Sequence, residues 1–331
     1  MLFFTIRRII SSVLVLLASS FLVFALCAAS FDPLAKFRLR QPPPTPQSLQ
    51  ALAHKMGLDQ PFLKRYWDWL SGVVHGDFGN TIANTPVSSQ IWERAGVTSR
   101  MIIAAMILAI ILAVIIGVIG AVRQYKASDY AFTFIAYVLI ALPTFWFAVL
   151  LKEFLAVKIN QAVGHQVLFT LGEETPFIRS IPGTTTWDVW VDRLQHLVLP
   201  TISLGLLTYA AWSRFQRASM LDVLGSDYMR LARAKGLTYR RTVFKHGLRN
   251  ALIPLTTVVA LGIGTLFGSA VITETVFNWN GMGQYLLQDG IGNNDINVVL
   301  AWLILSAAVI VIFNLIADIL YAVLDPRIRL A

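Results

Sequence analysis

Residues 213–254 read SRFQRASMLDVLGSDYMRLARAKGLTYRRTVFKHGLRNALIP, a basic segment set between two apolar ones. Nine of these residues are Lys or Arg, and only Asp222 and Asp227 oppose them. Such a stretch belongs on the water side of a chain that is otherwise mostly membrane. Composition supports this: 56% of residues are hydrophobic and 14% charged, against about 25% charged in an ordinary soluble domain. Mean hydropathy is +0.65. The apolar residues fall in long runs, and runs of about 18 or more cross a bilayer as helices, because lipid offers no partner to an open backbone amide.

Working outward from the basic segment, six spans can be drawn: 9–29, 98–122, 131–156, 197–212, 254–273 and 297–321. The fourth is short and carries Ser203, Thr208 and Trp212. The first follows Arg7 and Arg8, as a signal peptide would. Its apolar run from Ile9 to Ala29 exceeds a signal core of about 7–15 residues, and no small-x-small site closes it, so it is expected to be a retained anchor. With the N-terminus in the cytoplasm, the inner segments 1–8, 123–130, 213–253 and 322–331 hold fifteen Lys/Arg against four acids. The outer segments, with Lys152 and Glu153 counted among them, hold eleven against thirteen. This bias places both termini in the cytoplasm. The net charge of +9 is therefore a topology signal and not the footprint of nucleic acid. The chain divides into an anchor helix at 1–30, an outer loop domain at 31–97, and a core at 98–325 that contains the cytoplasmic loop 213–253.

The outer regions differ in character. Gln41-Pro-Pro-Pro-Thr-Pro46 predicts an extended, stiff entry to the first loop, and Gln47 to Gly57 predicts a helix. From Pro61 to Val74 the 3–4 spacing puts Phe62, Tyr66, Trp69, Leu70 and Val73 on one face, which suits a helix lying at the membrane interface. Residues 157–196 and 274–296 form the second and third outer loops. Within the spans, Gly117 and Gly120, and Gly262, Gly264 and Gly268, put small residues on helix faces, and Gly264-x3-Gly268 has the spacing that lets helices approach closely. Pro143 and Pro200 predict kinks.

Catalytic chemistry finds no footing. The sequence has no G-x4-G-K-[ST] phosphate loop and no H-E-x-x-H, and no nucleophile elbow. The single Cys27 excludes an intrachain disulfide and any metal site built on cysteines. The pair His75 and Asp77 is too small a ligand set for a metal, so no metal, cofactor or catalytic residue is expected. An ion-coupled carrier would place acids or His inside its spans. Only Arg100, Lys152, Glu153 and Asp318 qualify, all near span ends where they can snorkel, which points to an external energy source instead.

From end to end, ordered matches resemble the first permease subunit of dipeptide/oligopeptide importers of the ATP-binding-cassette (ABC) class. They are Gly57-Leu58-Asp59-Gln60-Pro61, Arg65-Tyr66-x2-Trp69-Leu70, Gly76-Asp77-Phe78-Gly79, Pro86-Val87, Leu142-Pro143-Thr144-Phe145-Trp146 and His196-x3-Pro200. After these come Asp227 to Pro254, Ile272-Thr273-Glu274-x2-Phe277-x-Trp279-x-Gly281-x-Gly283, and Asp325-Pro326-Arg327-Ile328-Arg329-Leu330. Two departures are visible. The acid that opens the general importer motif is missing before Ala232, and Ser30-Phe31-Asp32-Pro33 lacks a glycine before Asp-Pro.

The resemblance implies an all-α permease with about six membrane helices in a bacterial inner (plasma) membrane. Its partners would be a homologous second permease, ATP-binding subunits that alone bind ATP, an extracytoplasmic peptide-binding protein and membrane lipid. It implies coupling to the ATPase through Asp227, Tyr228, Ala232, Ala234, Lys235, Gly236 and Pro254. Ala232 and Gly236, four apart, would share a helix face, and Gly236 could end that helix in a left-handed cap. A translocation path is expected along the fifth span, at Thr257, Thr265, Gly268 and Ser269, where hydroxyls and bare backbone make a weakly polar surface. Nickel or glutathione permeases share the architecture. An ion-coupled carrier or a membrane-bound enzyme is the reading from another class.

Overall fold

The apolar runs fold as helices throughout a computed structural model that describes residues 2–39, 41, 42 and 44–324. Pro43 and the C-terminal Asp325 to Leu330 match lie outside the described residues. The helices that position the candidate site are α1 (Leu2–Ser30), α2 (Pro46–Lys55), α3 (Phe62–Val74), α4 (Val87–Val122), α5 (Ala127–Ala141), α6 (Thr144–Val163), α7 (Thr186–Leu224), α8 (Asp227–Ala234), α9 (Tyr239–Val276) and α10 (Ile296–Leu324). Among the described residues the extended pairing is one isolated bridge, Asn80 with Pro86. The all-α membrane architecture is thus the one that the sequence predicts.

Five of these helices, α1, α4, α7, α9 and α10, are long and apolar enough to cross a membrane, and α5 with α6 makes a sixth if the pair is one span. That third span is not a kinked rod: its halves are bent by 110° at Leu142–Pro143. Leu142 is extended, with φ −82° and ψ 131°, as the residue before a proline must be, and Pro143 caps the new helix without donating to the old. Pro200, by contrast, sits inside an unbroken α7. The helices also outrun the apolar windows: α7 begins eleven residues before the expected fourth span and ends twelve after it. Hydropathy marks only the lipid-facing part of a helix, whereas backbone bonding continues into water.

The chain forms two compact units. The first joins residues 2–98 with 280–309. Here the apolar face of α3, expected at the membrane interface, packs on α1. The Tyr66 and Phe62 rings meet Phe21 of α1 edge-on at 5.1 and 5.7 Å, and the Tyr66 hydroxyl lies 3.0 Å from Ser20 Oγ. Phe24, Tyr66 and Leu300 form the cluster's buried centre. The opposite stripe, Leu63, Trp67 and Val74, is the exposed one. The third outer loop is stitched to the first. Asp295 Oδ2 accepts the Ile82 amide at 2.6 Å, Asn297 Nδ2 donates to Asn80 O at 2.8 Å, and Arg94 donates to Asn280 O at 3.1 Å. Burial pushes Asp295 above the usual carboxylate range, with its amide donors pulling the other way. A cavity of about 500 Å³ opens between these loops, lined by Lys55, Arg65, Asp68, Trp69 and Asp77 among others. His75 and Asp77 are engaged locally: His75 Nδ1 lies 2.7 Å from Ser71 O, and Asp77 Oδ1 accepts the Gly79 amide. Among the described residues no group of three or more metal-ligating side chains occurs.

The second unit holds residues 99–279 and the described residues from 310 onward. Helix α7 packs against α4, α5 and α9. Part of its polar content, Ser203, Ser213 and Gln216, is buried in these contacts. Glycines set the distances. A Cβ on Gly117 would lie 2.9 Å from Gln216, one on Gly205 3.0 Å from Leu108, and one on Gly262 2.8 Å from Trp212. Gly264 would meet Ile310 at 3.3 Å while Gly268 meets nothing within 4 Å, so the expected Gly264/Gly268 pair is not one packing face. Arg100 pairs with Glu173 of the second outer loop at 3.1 Å instead of snorkelling.

Gly117→Val is expected to destabilise the protein by about 1–3 kcal/mol, the usual size of an overpacked contact. Gly96→Val, where a Cβ meets nothing within 4 Å, should be neutral. Thermal unfolding of the detergent-solubilised protein compares the two, and equal midpoints would refute the close α4–α7 contact.

Candidate functional site

Between the basic residues of the cytoplasmic segment the backbone makes two short steps. Helix α7 ends at Leu224, and after Gly225 and Ser226 the eight-residue α8 begins. Asp227 and Arg230, three apart, pair at 2.7 Å on its exposed side. The end of α8 is a full C-terminal cap. Gly236 has φ +82°, its amide donates to Arg233 O at 2.9 Å, and the Leu237 amide reaches back to Ala232 O at 3.3 Å. This 6→1 and 5→2 pattern is the Schellman motif. It changes the reading of the Ala232/Gly236 spacing. The two residues do not share a helix face; Gly236 lies past the last turn, and the carbonyl of Ala232 is the acceptor that closes the cap.

One residue of α8 faces inward. Met229 is fully buried, and its Cε, like that of Met220 in α7, would lie 3.1 Å from a Cβ on Gly247. Gly247 ends the wide π-type turn Thr242–Gly247 at the start of α9. Beneath it, Met220, Val243 and Ala251 join Val118 and Ala121 of α4 in one apolar cluster. Helix α8 is therefore seated on the ends of α7 and α9, with its other faces outward. Asp227, Tyr228, Ala234, Lys235 and Gly236 are exposed and Ala232 is half-buried. Pro254 is also exposed, but it lies inside α9 and away from α8 in sequence.

The outward surface is partly apolar. Tyr228 and Leu231 are exposed, as are Tyr239 and Phe244 beyond the cap, and Arg233 lies over the Tyr239 ring at 4.9 Å. These apolar side chains stand among Lys and Arg in the segment outside the spans. Leu231 and Phe244 were not among the expected residues. The available signal was an apolar residue on a helix that is otherwise polar and charged.

The expected path residues separate in the same way. On α9, Leu261, Thr265, Gly268, Ile272 and Thr275 are all exposed and recur at the 3–4 spacing of one stripe. Thr257 is half-buried along the same line, while Ser269, about 100° round the helix from Gly268, is half-buried off it. The exposed hydroxyls are satisfied internally: Thr265 Oγ1 donates to Gly262 O at 2.6 Å and Thr275 Oγ1 to Val271 O at 2.8 Å.

Comparison with known proteins gives the family. Residues 109–330 match the family described as binding-protein-dependent transport system inner membrane component, and residues 1–93 match its N-terminal companion. The chain is 42% identical over 325 residues to the oligopeptide transport system permease protein OppB of Mycobacterium bovis, covering 98% of each chain. It is 38% identical to the oligopeptide transport system permease protein AppB of Bacillus subtilis, covering 98% of this chain and 99% of the relative. It is 34% identical to the dipeptide transport system permease protein DppB of Escherichia coli K12, covering 86% of each.

Proposed function

The chain belongs to the family of binding-protein-dependent transport system inner membrane components, and from that premise we propose how it works. It is a multi-pass permease subunit of an ABC importer that moves peptides across the membrane. It supplies half of a path, completed by a homologous second permease, and an extracytoplasmic binding protein delivers peptide to the outer mouth. ATP is bound and hydrolysed by separate subunits, so this chain uses no cofactor and performs no catalysis of its own. It lies in a bacterial inner membrane with both termini in the cytoplasm.

The observation that carries the coupling reading is α8. It is a short, capped helix anchored by the single buried Met229, and it presents Tyr228 and Leu231 outward among Arg230, Arg233 and Lys235. An idle basic loop held at anionic headgroups has no need of a rigid seat or of exposed aromatic side chains. A groove on an ATPase subunit fits both. On α9 the weakly polar stripe through Thr265 and Gly268 is the proposed conducting face. Its hydroxyl protons are already donated to the helix, so it offers passing peptides few strong donors.

Co-expression tests the class. ATP hydrolysis and peptide uptake should appear only when this permease is made with its P-loop partners and second permease, and uptake by this chain alone would favour a carrier. Topology is tested separately. On a Cys27→Ser background, a cysteine at the exposed Ser48 should react with an impermeant thiol reagent in intact cells. Labelling only after permeabilisation would invert the assignment.

A further inference from the structure

The cytoplasmic part of α7 is tied to α5 by charge. Arg217 reaches Asp129 through both Nε and Nη2, at 2.6 and 2.7 Å. Asp129 lies in the first turn of α5 and is 3% exposed. Its Oδ2 also accepts the amide of Tyr125 at 3.0 Å, in the turn that joins α4 to α5. Gly120 of α4 makes room, since a Cβ there would lie 3.2 Å from Asp129 Oδ1 and 3.3 Å from Arg217 Cδ. One turn earlier on α7, Arg214 lies over the ring of Tyr137 of α5 at 4.6 Å.

The same stretch of α7 carries α8. Met220 stands three residues beyond Arg217 and shares the seat at Gly247 with Met229. Ser219 donates to the Ala251 carbonyl of α9 at 3.0 Å. Only Gly225 and Ser226 separate the end of α7 from the start of α8. A displacement of α8 that keeps this packing carries the end of α7, and with it Arg217.

Burying an ion pair is weak evidence for stability, because apolar residues of equal volume hold two helices together about as well. A bidentate pair differs in what it fixes: two parallel bonds set register and direction. Resting on the coupling reading above, we infer that Asp129–Arg217 is a pin that delivers movement of α8 to the α4–α5 hairpin. From there movement continues into the bent α5–α6 span. Both are positioning residues and neither touches peptide or nucleotide.

The test uses the complete transporter in proteoliposomes, with peptide uptake and ATP hydrolysis measured in the same vesicles. Asp129→Asn should lower peptide moved per ATP about tenfold, the size of an ordinary coupling between distant sites, while the ATPase rate stays near wild type. Arg217→Lys keeps the charge but loses the fork, and should fall between the two. The exchange Asp129→Arg with Arg217→Asp should recover part of the loss. An unchanged ratio of peptide to ATP in both single variants overturns the pin, as does a proportional fall of both activities. If Asp129→Asn does not assemble, Arg217→Lys decides by the same criterion. Gly236→Trp in the same assay separates the two levels. Normal uptake by that variant removes the coupling reading and the pin with it. Lost uptake there, with an unchanged ratio at Asp129 and Arg217, removes the pin alone.

Discussion

Gly236→Trp should abolish peptide uptake while leaving the protein inserted and folded. The residue has φ +82°, a conformation that costs an ordinary side chain roughly 1–2 kcal/mol, so the last turn of α8 would fray. Within the chain itself a Cβ at Gly236 has no atom within 4 Å. On the coupling reading, the rest of the expected loss comes from a partner lying against the cap. Two companions apportion the effect. Gly236→Asn tolerates the left-handed backbone and should retain most uptake. Gly236→Ala carries the backbone strain without the bulk and should lose less than Trp. The Trp variant should either release the ATPase subunits on purification or leave them hydrolysing ATP without moving peptide. Uptake at the wild-type rate and normal expression would remove α8 from the coupling machinery.

Why the capped helix α8 was legible in the sequence and the Asp129–Arg217 pair was not is a matter of spacing and distance. A basic segment with Ala232 and Gly236 in place announces itself locally, and a glycine past a charged helix end predicts a left-handed cap from steric rules alone. The 3–4 spacing along Phe62, Tyr66 and Trp69 likewise named the right face of α3. It could not say whether lipid or α1 covers that face, since both are apolar. Asp129 and Arg217 stand 88 positions apart, and each reads in isolation as a solvated cytoplasmic charge. Only the helix crossing makes them partners. Span ends failed for a related reason. The polar ends of α7 continue the helix because backbone bonding runs on past the apolar window into water, and hydropathy carries no record of that. The break at Pro143 was foreseen as a kink; its 110° size depends on where α6 finds its packing.

The proposed conducting face yields the second large effect. Thr265→Leu and Gly268→Leu should each cut uptake by at least about tenfold, which corresponds to a barrier raised by about 1.4 kcal/mol, without loss of the ATPase subunits. The choice of Gly268 rests on what surrounds it. It is exposed and a Cβ there meets no atom of the chain within 4 Å, so a side chain can start there without an immediate clash. Gly264→Leu is the contrasting variant. Its Cβ would already press on Ile310 at 3.3 Å, so its defect should be lower thermal stability, not a blocked path. Three outcomes separate the possible neighbours of the stripe. A blocked path with the complex intact places peptide against α9. Separation of the two permeases on Gly268→Leu places the second permease there instead. Normal import by both variants leaves only lipid on the stripe, and the path must then be sought on another helix.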